Sequence, residues 1–281
     1  MPLDHHKELT PVLYGNHGVK LLPTATATEE NVRLFPLHWH ERMELLLVTK
    51  GSLALRAGNE DCLVQAGQLA VITPGLLHTG QSGENGVSYE TIMFDLSNFI
   101  TSAGASARFL TPLHNQQLLF DHVTDNAAVI GAVNELLTLL HAQQEAVALQ
   151  VIGKVYDLLG LLFLHVRWWR VDLPYKGKLN EVLKYMEQHS CENITSSSIS
   201  RKYNYDEAYF CRKFKAVTGL PPMKYIKILR LEKAQRMLEE TDQSIAQIAQ
   251  GCGFGDSDYF GRCFKSHFGV SPTAYAAKHR T

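Results

Sequence analysis

Three imidazoles and one carboxylate in the first third of the chain have the types and spacing of a divalent-metal site. His38 and His40 alternate along an extended segment, which puts both on one face, and Glu44 keeps their parity. His78 arrives from a later strand or turn. Such a donor set suits Zn, Mn, Fe or Ni and leaves coordination positions open for water or a ligand. The same side chains could instead line a polar pocket and hydrogen-bond a sugar or related metabolite. The other histidines lack such company and read as surface or packed residues.

A second constellation is written twice near the C-terminus. Tyr209/Tyr259, Phe210/Phe260, Arg212/Arg262, Phe214/Phe264, Lys215/Lys265, Gly219/Gly269, Pro222/Pro272 and Tyr225/Tyr275 repeat at one offset. A duplicated unit of short helix, tight turn and second helix, with Arg and Lys on the exposed face, is a pair of helix-turn-helix motifs whose partner is double-stranded DNA. Phenylalanines four apart share a buried face, and the basic residues take the other. Charge agrees: residues 177 to 281 carry +5 and the rest −6, within a net charge of −1.

Two kinds of element must position these groups. From about Val19 to Leu96 short apolar runs alternate with Gly and Pro turns, including a turn at Lys50-Gly51-Ser52 and a last strand from Tyr89 to Phe94, as in an all-β sandwich or barrel. From about 126 to 170 the apolar spacing becomes helical, with Val129, Val133, Leu136, Leu137 and Leu140 on one stripe and Val147 to Leu162 on another. Two helices joined near Gln143–Glu145 are expected, with apolar faces generous enough for a homodimer seam, and Trp168-Trp169-Arg170 anchoring the last turn. The divisions are then a barrel over 1–125, a helical connector over 126–172, a linker over 173–178 and an all-α domain over 179–281. There Thr195 is expected to cap a helix, and Asn204 and Gly253 to occupy left-handed turn positions. A single helix from Met223 to Glu240 is expected to space the two copies.

Composition narrows the function class. With 281 residues, 45% hydrophobic and 20% charged, the chain reads as an ordinary two-domain protein. The richest apolar stretch, Val155 to Val166, contains Asp157 and is shorter than the ~20 residues of a membrane span. The N-terminus lacks the order of a signal peptide. Five cysteines without a CxxC pair suit reduced thiols and a cytoplasmic location.

His38-Trp39-His40, Glu44 and Gly51, followed by Gly67, Pro74-Gly75 and His78, resemble the two motifs of the cupin superfamily, with Val32 and Thr73 as departures. The C-terminal block resembles the DNA-binding domain of the AraC/XylS family. The residues that carry this are Ser244-Ile245-Ala246-Gln247-Ile248-Ala249, Cys252-Gly253-Phe254, Asp256, Tyr259-Phe260, Arg262, Phe264-Lys265, Phe268-Gly269 and Ser271-Pro272, with Arg230-Leu231-Glu232-Lys233-Ala234 between the copies. Ser200 and Asn204 depart from the first unit's usual pattern.

The resemblance implies base reading by Ala208, Cys211 and Arg212 in the first unit, with Lys215 toward phosphate. In the second it implies Ser257, Asp258, Gly261 and Arg262, with Lys265 toward phosphate. It also implies a transcription regulator, by habit an activator that works with RNA polymerase, controlled by a small-molecule effector in the barrel. The alternatives are a metal or redox sensor, with Cys211 open to oxidation, and a metal-dependent cupin enzyme with a DNA-binding tail. No second acidic or basic pair marks a committed reaction, so no catalytic residues are assigned.

Overall fold

A computed structural model describes residues 18–101, 104–142, 147–170 and 176–279. They divide into two compact units, with the cut between Gly177 and Lys178.

The N-terminal unit is built on β1 (Val19–Leu21), β2 (Ala25–Ala27), β3 (Arg33–His38), β4 (Met43–Ala57), β5 (Glu60–Gln65), β6 (Leu69–Ile72) and β7 (His78–Phe94). After a 3-10 turn at Leu96–Phe99 come α1 (Ala105–His114), β8 (Leu118–Phe120), β9 (Val123–Thr124), α2 (Ala127–His141), α3 (Ala148–His165) and β10 (Trp168–Arg170). The antiparallel sheet runs β1-β7-β4-β6-β9, with β2 and β3 also on β7 and β5 on β4. β4 and β7 are long because they serve both halves of the sheet: the first half of β4 pairs with β6 and the last half of β7, and its second half pairs with β5 and the start of β7.

Side chains on β4 alternate as a two-sided sheet requires. Met43, Leu45 and Leu47 join one buried cluster, whereas Leu46, Val48, Leu53 and Leu55 join another inside the rolled sheet. Glu44 has the parity of the inner set. The outer cluster continues into Val129, Val133, Leu136, Leu137 and Leu140 of α2 and into Val151, Val155, Leu158, Leu159 and Leu162 of α3.

Four expectations change here. Lys50-Gly51-Ser52 is no turn: β4 runs straight through it with a register shift on either side. Gly51 sits at φ 66°, and a Cβ there would lie 2.1 Å from the Gly86 carbonyl oxygen, so the β4–β7 approach demands glycine. β7 extends back from Tyr89–Phe94 to His78. The stripes on α2 and α3 are no dimer seam, because the sheet of the same chain covers them. Trp168–Arg170 is no helical turn but a strand paired with β8. The helix junction at Gln143–Glu145 lies outside the described residues.

α3, at 18 residues and a mean hydropathy of 1.3, is long and apolar enough to cross a membrane, contrary to the count made on sequence alone. Its inner stripe is core, and Lys154 within it bonds Asp157 and Glu135, which is the pattern of a helix packed on a sheet.

The C-terminal unit is helical: α4 (Lys176–Gln188), α5 (Ser196–Lys202), α6 (Glu207–Thr218), α7 (Pro222–Glu240), α8 (Ile245–Gly251), α9 (Ser257–Phe268) and α10 (Pro272–His279). Of the expected linker, Lys176–Lys178 belongs to α4, and 173–175 lies outside the described residues. Thr195 caps α5 in a capping box with Ser198, and Ser244 caps α8 in one with Gln247. The aromatic cores repeat closely. Ring centroids are 5.7 Å apart for Phe210–Phe214 and for Phe214–Tyr225, and 5.6 and 5.7 Å for Phe260–Phe264 and Phe264–Tyr275. Between the cores α7 buries Tyr225, Ile226 and Leu229 early and Leu231, Ala234 and Leu238 late, so one helix serves both.

Candidate functional site: a histidine–glutamate cluster and two basic helix faces

The structure brings all four expected donors together inside the rolled sheet. His38 closes β3 and pairs in register with His78 at the start of β7, with ring centroids 4.2 Å apart. His40 lies beyond the end of β3, so it arrives by the loop after Trp39 rather than by strand alternation. That loop is held by the Pro74-Gly75 turn, where the Gly75 N–H donates to the His40 carbonyl at 2.7 Å. Donor atoms of His38, His40 and His78 all lie within 4.8 Å of one another. Glu44 Oε2 is 2.9 Å from His40 Nε2 and 3.1 Å from His78 Nε2.

Each imidazole is oriented from behind. Nδ1 of His38, His40 and His78 meets the carbonyls of Pro36, Arg42 and Leu76 at 2.9, 3.1 and 2.8 Å. A carbonyl only accepts, so each Nδ1 carries the proton and each Nε2 turns inward, the arrangement that second-shell carbonyls impose on metal-binding histidines. An inward Nε2 can then meet the Glu44 carboxylate only if it takes a second proton or if a cation lies between them. The donor chemistry therefore fits a divalent metal. Thr73 Oγ1 is buried beside them without a hydrogen-bond partner, as an unused donor position would be.

Electrostatics agree with a site built for positive charge at its centre. Burial alone would raise the Glu44 carboxyl, but hydrogen bonds from His40 and His78 overturn that and hold it well below the usual carboxylate range. Burial, helped by His78, lowers His38 to about 3. Burial and then Glu44 raise the Tyr89 phenol to about 12, which keeps a neutral hydroxyl near the carboxylate. Tyr89 lies on β7 among the buried residues of the same sheet interior, and its spacing from the histidines did not disclose it.

These shifts give a pH dependence. Below its unfolded value of 6.5 an unfolded His38 gains a proton that the folded one refuses until about pH 3. Acid therefore favours unfolding across that window, by at most ~1.4 kcal/mol per pH unit for this one proton. In chelator-treated protein, denaturant midpoints should fall between pH 6.5 and 5, and His38→Gln should make the fall shallower. An unchanged slope would show that His38 is not held neutral.

The second candidate site is the outer face of α6 and α9. Asp206 and Asp256 cap these helices through the Tyr209 and Tyr259 amides, and left-handed Gly219 and Gly269 close them. Ala208, Arg212 and Lys215 are exposed and Cys211 half-buried; Ser257, Asp258, Arg262 and Lys265 are exposed and Gly261 half-buried. Nothing lies within 4 Å of where a Cβ on Gly261 would stand, so the face is open there. All nine expected residues thus stand away from the Phe210/Phe214 and Phe260/Phe264 cores.

Asn204 and Gly253 take the left-handed turns at φ 59° and 81°. The second unit has one residue more, Gly255, between turn and cap, so the leading helices repeat at an offset one smaller than the reading helices do.

A family model for an AraC-like ligand binding domain matches residues 24–159, and one for a helix-turn-helix domain matches residues 199–278. The chain belongs to the AraC family of transcription regulators. It is 26% identical over 241 residues to the HTH-type transcriptional activator RhaS of Salmonella paratyphi A, across 85% of this chain and 86% of that one. The RhaS of Escherichia fergusonii is 26% identical over 249 residues, with the same shares covered. Among solved structures ToxT from Vibrio cholerae aligns with a TM-score of 0.54 at 12% identity, over 92% of this chain and 98% of its own, a likeness of fold. As an AraC-family member the chain is a DNA-binding transcription regulator, not an enzyme, and its sheet unit is a ligand-binding domain.

Proposed function

We propose that α6 and α9 read bases through Arg212 and Arg262, with Lys215 and Lys265 on phosphates, and that an effector bound at His38, His40, Glu44 and His78 controls that reading. Arg grips guanine O6 and N7 in a bidentate pair, whereas Lys supplies charge to the backbone. Ala208, Cys211, Ser257, Asp258 and Gly261 complete the faces with small or polar contacts. The observation that carries the effector half is a buried polar cluster within an otherwise apolar sheet interior. A sugar or related polyol chelating a divalent ion held by these residues would satisfy both the oxygen-rich ligand and the inward Nε2 atoms. Coupling requires that this ligand favour one arrangement of the protein over another. The RhaS relatives are activators, which supports activation in concert with RNA polymerase in the cytoplasm.

Thermal-shift screening of a sugar and metabolite library, with and without chelator, tests this. A ligand at 100 times its Kd adds ~2.7 kcal/mol. We expect a hit that chelator abolishes, and stoichiometric metal by elemental analysis that His38→Ala/His40→Ala removes. Hits that survive chelation would leave the histidines as hydrogen-bonding groups to an organic ligand alone.

The other side of α3 supports a homodimer. Leu164 and Leu149 are 74% and 82% exposed, and an apolar groove of about 430 Å³ between α1 and α3 is lined by Phe109, Tyr156, Gly160, Phe163 and Trp168. A second copy of this face supplies the matching apolar surface, as a two-fold interface requires. Leu164→Glu should convert dimer to monomer in sedimentation; an unchanged state would place the seam elsewhere.

A further inference from the structure

One cluster of nucleophilic side chains belongs to neither site. Cys191, half-buried, lies in the loop between α4 and α5, and Cys252, fully buried, ends α8. Lys233 Nζ of α7 donates to Cys191 Sγ at 3.3 Å, and Ser190 Oγ stands 3.8 Å from the same sulfur. The Cys252 thiol, on the other side of that loop, donates to Met237 Sδ at 3.6 Å. The residue after Cys252 packs on the Cys191 backbone: a Cβ on Gly253 would stand 3.0 Å from Cys191 Cα. The loop is clamped, since the Arg230 guanidinium donates to the Ser190 and Glu192 carbonyls at 2.7 and 2.8 Å.

The environments of the two sulfurs differ in the way an attacking and a resolving thiol need. The neighbouring Cys252 thiol, and then the Lys233 charge, outweigh burial and lower Cys191 to about 5. The neighbouring Cys191 sulfur and burial push Cys252 up. A thiol lowered by the ammonium beside it is the attacking partner, and the buried, raised thiol is the resolving one. Cys62 lies the other way, raised by burial and by Glu60 and Asp61. Cys211, the thiol singled out from the sequence, stands on α6 outside this cluster.

We propose that Cys191 and Cys252 are a reversible modification site, oxidised by hydroperoxides to a disulfide within the DNA-binding unit. The Cys191 thiolate attacks the peroxide; an S–O bond forms, the O–O bond breaks, and the leaving oxygen takes the electron pair and a proton. Sulfur is oxidised by two electrons to the sulfenic acid as the peroxide is reduced. The Cys252 sulfur then attacks the sulfenic sulfur; the S–S bond forms, and hydroxide leaves with the Cys252 proton as water. A dithiol reverses the step by exchange. The bond would join the loop leading into the first helix-turn-helix to the turn of the second, turning a packed contact between the reading units into a covalent one.

The full chain treated with hydrogen peroxide, quenched with iodoacetamide and digested should yield a Cys191–Cys252 cross-linked peptide two hydrogens lighter, lost on adding dithiothreitol. In the reduced protein iodoacetamide should label Cys191 ahead of Cys62, Cys211 and Cys263. Lys233→Met should slow that labelling several-fold, and Lys233→Arg, which keeps the charge, should restore it. Cys252→Ser should stop the reaction at a dimedone-trappable sulfenic acid on Cys191. Oxidation of Cys211 or Cys263 with Cys191 untouched would overturn the proposal, as would a Cys191–Lys233 adduct in place of the disulfide.

Discussion

Arg212→Ala together with Arg262→Ala is expected to remove most sequence-specific DNA binding. Each bidentate contact to a guanine accounts for about 1–3 kcal/mol, and contacts in separate units add, so the pair should cost about 2–6 kcal/mol. That is roughly thirtyfold to twenty-thousandfold in Kd. Both side chains are exposed, and no ion pair holds either among the described residues, so their loss should leave the thermal melt in place. Lys215→Ala is the contrasting variant. It should weaken all sequences alike and reduce the salt slope by about one. Binding measured at two salt concentrations on selected and scrambled duplexes separates these outcomes. If the double variant keeps wild-type affinity and preference, α6 and α9 do not read DNA through these faces.

Gly51→Ala should be the most damaging single methyl in the N-terminal unit. The left-handed conformation costs a non-glycine residue ~1–2 kcal/mol. The new Cβ would also stand 2.1 Å from a backbone oxygen that cannot swing away, adding overpacking of ~1–3 kcal/mol. Gly67 isolates the two contributions. It has φ 86° but nothing within 4 Å of its Cβ position, so Gly67→Ala should cost only the conformational part. Denaturant titration should place Gly51→Ala well below Gly67→Ala. Equal midpoints would mean that β4 and β7 separate without penalty at this point.

The same glycine shows where a linear reading falls short. Lys50-Gly51-Ser52 has the composition of a turn, and sequence does not distinguish a turn glycine from one that lets two long strands touch. The stripes on α2 and α3 were legible as buried faces, but what buries them depends on a sheet whose curvature no local pattern encodes. Trp168–Arg170 pairs with a strand far back in the chain, a non-local choice that propensity cannot anticipate. By contrast, the helix caps, the left-handed turns and the duplicated aromatic cores are local devices, and their residues stood where expected. The four donors were legible because metal-like spacing is local around His38 to Glu44, with His78 brought in by hairpin register. Tyr89 and the Cys191–Lys233–Cys252 cluster carry no spacing signal, since each arises only when distant segments pack.

The turn at Gly253 bears on how freely the two copies could be exchanged. Asn204, at the matching turn, is exposed and could become glycine with little loss. The reverse replacement is barred, because any Cβ at 253 would stand 2.5 Å from the Cys191 carbonyl oxygen. A chimera with two second copies keeps glycine where it is needed, whereas one with two first copies would drive an asparagine into the neighbouring unit's loop. The duplication is thus a fitted pair with a fixed order, and a protein engineer who replaces a whole unit has a free hand at the turn only in the first.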